Sequence, residues 1–261
     1  MIKKSTLLLA ALCSAYSFAQ TSVVDLPNVS AVAVTNKVEP PQRPAAVTVQ
    51  RGPYLQSGTP TSVVVKWRTD VPTESVVHYG KKLSSLSKKA SSNTLTTEHQ
   101  VALSGLSPNT KYYFNIGNKA GVLSESTSGD MYVITSPLAG TKQFVRAWIL
   151  GDAGTANNNQ RDVRDAYYDY VDAAPKNTGK TDMMLFLGDN AYGSGTDEEY
   201  QNALFDIYDE MLKKSVAWSC LGNHDGKSAD SATQSGPYYD IFTFPTAAQA
   251  GGTASGSLLL L

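Results

Sequence analysis

Histidine is scarce in this chain of 261 residues: there are 3, His78, His99 and His224. Only His224 lies in the second half, so imidazole can contribute little to a metal or acid–base site there. Cysteine is scarcer still, with Cys13 and Cys220 alone. Cys13 falls in a leader-like start, which leaves Cys220 single and excludes an internal disulfide. Cys220 reads as a buried core thiol. An excess of one charge is also lacking: 22 basic residues face 23 acidic ones, a net −1. That balance gives nucleic-acid binding no support. The apolar runs Leu7 to Phe18 and Leu258 to Leu261 are both short for a bilayer span.

Lys3 and Lys4 precede the first of those runs, and Ser17-Phe18-Ala19 offers small residues for cleavage. Residues 1–19 are therefore expected to be a signal peptide, with the mature protein secreted or periplasmic and free of a membrane span. Bulky Leu12 argues against a lipoprotein signal at Cys13. Cleavage removes two lysines and no acid, which takes the net charge from −1 to −3. Residues 20–48, with Pro40, Pro41 and Pro44, read as an extended linker.

From residue 49 to 137 the chain alternates in strand fashion. Val63, Val65 and Trp67 share one face, with Val64 and Lys66 on the other. Ser75 to Tyr79, His99 to Leu103, Lys111 to Ile116 and Met131 to Thr135 read as further strands. Leu106 to Tyr112 resembles the tyrosine-corner segment of fibronectin type III modules, with Tyr112 reaching back to upstream backbone. An all-β, fibronectin type III-like sandwich is expected over 49–137.

Past a hinge at Pro137 to Thr141 the period changes. Phe144 to Leu150, Met183 to Leu187 and Val216 to Leu221 are short apolar runs. Between them lie two helical patterns. Val163, Ala166, Tyr167, Tyr170 and Val171 share one face of the first. Tyr200, Ala203, Leu204, Ile207, Tyr208, Met211 and Leu212 share one face of the second. Strand–helix–strand–helix–strand is the pattern of a parallel sheet with right-handed crossovers.

All three strands end alike, in Gly151-Asp152, Gly188-Asp189 and Gly222-Asn223. Sites in parallel α/β sheets form at the carboxyl ends of strands. Three oxygen-bearing side chains converging there suit a hard cation, and the glycines are expected to let the backbone turn and approach closely. A lone Gly-Asp after a strand is an ordinary turn. Three in order are harder to read that way.

Gly151-Asp152-Ala153-Gly154, Gly188-Asp189-Asn190-Ala191-Tyr192 and Gly222-Asn223-His224-Asp225 resemble the first three blocks of the calcineurin-like metallophosphoesterase superfamily. Tyr192, three residues after Asp189, is similar to the iron-binding tyrosine of the purple acid phosphatases. The resemblance spans about residues 49 to 254 and implies a dinuclear centre, Fe(III) with a divalent Fe, Zn or Mn. It implies that Asp152 and Tyr192 bind the first metal, Asp189 bridges both, Asn223 binds the second, and His224 assists the phosphoryl transfer. The implied substrate is a phosphate ester.

The family's second half supplies three more histidines, one alone and two in a Gly-His-x-His block. This chain has none left for them, since His78 and His99 lie in the sandwich as structural or surface residues. Gly251 to Ser257 also dissolves into leucines, so residues 143–261 are expected to be a truncated α/β metallophosphoesterase-like domain, an incomplete βαβαβ half. Such a half exposes a sheet edge and apolar faces, and should fold poorly and bind metal weakly alone. Three readings follow: an exported phosphomonoesterase, a nucleotidase or phosphodiesterase of the same superfamily, or a non-catalytic fibronectin-type binding fragment.

Overall fold

The computed structural model describes residues 46–174 and 180–245. The leader, nearly all of the linker and the leucine-rich end lie outside the described residues. Among the described residues no helix is long and apolar enough to cross a membrane.

Strands β1 (Val49–Gln56), β2 (Val63–Gly80), β3 (Lys88–Leu103), β4 (Lys111–Asn118), β5 (Gly121–Ser124) and β6 (Tyr132–Ile134) form an antiparallel region. The two strands expected at 63–67 and 75–79 are one long strand. It survives Pro72 because its register against β3 shifts between Arg68 and Thr73, and a bulge is where a sheet tolerates proline. Val63, Val65 and Trp67 point into the core as their alternation predicts, against Leu103, Phe114 and Ile116. Each such side chain contributes roughly 1.5–3 kcal/mol on burial. The Tyr112 hydroxyl accepts the Ser107 backbone N–H at 3.0 Å, the expected reach back to upstream chain.

Strand β7 (Ala147–Leu150), helix α1 (Asn158–Ala173), strand β8 (Met183–Phe186), helices α2 (Asp197–Tyr200) and α3 (Asp206–Leu212), and strand β9 (Val216–Ser219) follow. A short helix α4 (Pro237–Ile241) comes last. The strands β7, β8 and β9 are parallel neighbours in that order. Strand β1 pairs with β9 at Leu55 and Val216, which links the antiparallel and parallel regions into one sheet path.

Two helix expectations change. In α1 the buried side is Gln160 and Val171, with Tyr167 and Tyr168 packed beside them, while Val163 and Tyr170 are exposed. The reason is polar. Gln160 donates to the Ala203 carbonyl and to the Tyr208 hydroxyl, and Arg164 donates to the Ile207 carbonyl, so the helix turns these groups inward. The second pattern is α2 and α3 joined by a π-helical segment, Gln201–Phe205, though its predicted apolar face is buried throughout.

One face of the parallel strands carries Trp148, Leu150, Met184, Phe186 and Ala217 into the core under α1 and α3. The other carries Ile149, Met183, Leu185 and Trp218, none of them buried, with Trp218 packed against the core of the antiparallel region. Cys220 is half-buried there rather than in the core. His99 sits in β3, fully buried between the Thr69 and Ser75 hydroxyls and stacked on Trp67.

Candidate functional site

The parallel register sets Leu150, Phe186 and Ser219 level, so the loops that follow β7, β8 and β9 meet at one edge of the sheet. Asp152 and Asp189 open two of those loops with φ of 54° and 51°. Left-handed backbone at a residue with a Cβ costs on the order of 1–3 kcal/mol, and such strain collects at functional sites.

Glycine makes the close approach. A Cβ on Gly222 would stand 2.0 Å from the Asp189 nitrogen and 2.2 Å from its Oδ1. A Cβ on Gly154 would stand 2.3 Å from the Asn190 carbonyl carbon. Both glycines let one strand-end loop lie directly on the next. Gly151, expected to serve the same purpose, does not, because its nearest neighbour would be the Leu187 Cβ at 3.7 Å.

The Tyr192 hydroxyl donates toward Asp152 Oδ1 at 3.0 Å and Asp189 Oδ2 at 3.2 Å. One proton is shared between two carboxylates. Desolvation, the hydrogen bond to Asp152 and the Asp189 charge push the Tyr192 phenol up to about 12. The His224 backbone N–H donates to Asp189 Oδ1 at 2.9 Å, and its ring lies 4.5 Å from the Tyr192 ring, edge on. Its Nδ1 stands 2.8 Å from the Gly193 carbonyl oxygen, which also accepts from Lys227 Nζ at 2.8 Å.

Four predicted residues, Asp152, Asp189, Tyr192 and His224, are thus brought together. Asn223 differs. It is exposed beside Gly222, and its side chain joins none of these hydrogen bonds. The oxygens of Asp152, Asp189 and Tyr192 are a hard donor set and fit one hard cation, which would take the place of the shared proton. Among the described residues no cluster of three or more His, Cys, Asp or Glu could hold a metal.

Sequence reasoning passed over three supporting residues. Asp225, inside the third motif, is fully buried and accepts from Asn190, Gly222 and the Tyr200 hydroxyl. Glu199 accepts from the backbone of Gly193, Ser194 and Thr196. Thr196-x-x-Glu199 is a legible capping box, with the Thr196 hydroxyl returning to the Glu199 N–H. Lys227 had no motif to reveal it.

Residues 51–131 match the family described as purple acid phosphatase, N-terminal domain, and residues 145–259 match calcineurin-like phosphoesterase. Among solved structures, the purple acid phosphatase PPD1 from yellow lupin (Lupinus luteus) seeds superposes with a TM-score of 0.50 at 16% identity. That match covers 69% of this chain and 36% of the lupin chain. PhoD superposes with a TM-score of 0.52 at 13% identity, covering 77% of this chain and 47% of PhoD. The likeness at these identities is one of fold, and the chain spans less than half the length of either protein.

Proposed function

We propose that this chain, which matches the purple acid phosphatase N-terminal domain and the calcineurin-like phosphoesterase family, is an exported, metal-dependent hydrolase of phosphate monoesters. The observation that carries this reading is the Tyr192 hydroxyl held against both Asp152 and Asp189. Three hard oxygens, at strand ends with strained backbone, are suited to a cation and ill suited to a mere turn.

In this reading Asp152, Asp189 and Tyr192 would hold Fe(III), and Asp189 with Asn223 would hold a divalent partner. Bound there, the metals would supply Lewis acidity and make water more acidic. The protein's own part is orientation and a proton. With Nδ1–H turned to the Gly193 carbonyl, His224 leaves Nε2 free, and once that nitrogen has taken up a proton the imidazolium can give it to the leaving oxygen of a phosphate ester. Residues 1–19 serve as the export signal, and residues 49–137 form a fibronectin type III-like module ahead of a metallophosphoesterase domain at 143–261.

Hydrolysis of p-nitrophenyl phosphate after loading with Fe(III) and Zn(II) tests the proposal. Turnover is expected, with loss in Asp189→Asn. A competing reading is a secreted fibronectin-type binding module without turnover. A folded, metal-loaded chain that hydrolyses no ester would support that reading instead.

A further inference from the structure

Gly193 faces two ways. Its N–H donates to Glu199 Oε1 at 2.7 Å, and its carbonyl accepts from His224 Nδ1 and Lys227 Nζ, each at 2.8 Å. It also directly follows Tyr192, whose hydroxyl meets Asp152 and Asp189. Glu199 holds more than this one peptide. Its second oxygen accepts the Ser194 N–H at 3.0 Å and the Thr196 N–H at 2.9 Å. Three loop amides, those of Gly193, Ser194 and Thr196, are thereby bound to one carboxylate; desolvation works to raise its pKa, but these bonds prevail and hold it below the ordinary value.

We propose that Glu199 is a positioning residue for the reaction: through the amides of Gly193 and Ser194 it sets both the Tyr192 phenol and the tautomer of His224. The proposal rests on the phosphohydrolase reading for its purpose, though its geometry does not. A carbonyl oxygen can only accept, so Nδ1 carries the hydrogen wherever it bonds Gly193. The other ring nitrogen is then left unprotonated in neutral His224, ready to gain the proton that it would later give away. Without Glu199 the Gly193–Ser194 peptide, which carries both the Ser194 N–H and the Gly193 carbonyl, loses its anchor and is free to rotate. Nδ1 then loses its acceptor and faces the Lys227 ammonium, 3.1 Å away, which can only donate to it. The imidazole should switch its hydrogen to Nε2.

Glu198 is the internal comparison. It is exposed, sits in the same helical turn and binds none of the loop amides. Thr196 is a second comparison. It caps the helix start through its hydroxyl, without touching Gly193.

The test is long-range proton–nitrogen NMR of the imidazole rings in the metal-free chain, at a pH where histidine is neutral. His224→Gln assigns the signal among the 3 histidines. Wild type, Glu198→Ala and Thr196→Ala are expected to give the Nδ1–H pattern for His224. Glu199→Ala is expected to lose it in favour of Nε2–H. Should Glu199→Ala fail to fold, Glu199→Gln decides, since it keeps the size but replaces one acceptor oxygen with a donor. An unchanged Nδ1–H pattern in a folded Glu199 variant would overturn the proposal, as would an equal switch in Thr196→Ala. The readout needs neither metal nor substrate. A chain that hydrolyses nothing, yet switches tautomer on loss of Glu199, refutes the phosphatase reading and keeps the positioning role.

Discussion

The Tyr200 hydroxyl donates to Asp225 Oδ1 at 2.6 Å, and both residues are wholly buried. This bond ties the helix after the second strand-end loop to the third loop. Asp225 also accepts from the Gly222 N–H and from the Asn190 backbone and side chain. One buried carboxylate thus collects donors from both loops and the helix between them.

Asp225→Ala should accordingly destabilise the fold by about 3–5 kcal/mol, because it strands several buried donors at once. Tyr200→Phe removes one donor and should cost less, about 1–2 kcal/mol. Urea unfolding of the two variants gives the comparison, and equal losses would argue against a shared hub.

Gly222→Ala places a methyl group where Asp189 now stands. Asp189 must move, so metal affinity should fall at least tenfold, while overpacking costs stability about 1–3 kcal/mol. Calorimetric titration with Zn(II) or Fe(III) reads the first effect. Wild-type affinity in the variant would show that the close approach of these loops is irrelevant to the site.

Acid should weaken the antiparallel region through His99. Burial pushes this imidazole down from its ordinary value of 6.5 to about 4. The unfolded chain therefore binds the proton first. The stability is fully present above pH 6.5 and is lost progressively as the pH falls toward 4, by on the order of 3 kcal/mol. Denaturation midpoints across that window should fall in wild type and flatten in His99→Gln. A parallel fall in both would assign the effect to other groups.

Arg51, buried in β1, grips Asp197 of α2 with two hydrogen bonds of 3.0 Å and Gln201 with a third of 2.8 Å. Desolvation works to raise the Asp197 carboxyl, but hydrogen bonds from Arg68 and Arg51 prevail and hold it down at about 2. Arg51→Ala should cost about 2 kcal/mol, less than a fully buried pair because Asp197 is partly exposed and keeps Arg68. Unchanged thermal unfolding would mean that this junction contributes nothing.

Much of this was legible in the sequence because it depends on local period and spacing. Alternation gave the inward face of β2, and three Gly-then-oxygen endings marked the edge where Asp152 and Asp189 meet. The rest depends on partners far along the chain. Helix α1 buries Gln160 rather than Val163 because the Ala203 carbonyl and Tyr208 hydroxyl await it across the core. The pairing of Leu55 with Val216 joins strands 161 positions apart, and no short-range pattern announces it. Glu199 was visible as a helix cap, but its grip on Gly193 required the folded loop.

The central claim is that Asp152, Asp189 and Tyr192 form a site for a hard cation. The most direct measurement is a visible absorption titration of the folded chain with Fe(III), run beside Tyr192→Phe. The claim predicts a saturable phenolate-to-iron charge-transfer band in wild type that is absent from Tyr192→Phe. No band in the folded wild type, or the same band in both proteins, would contradict it.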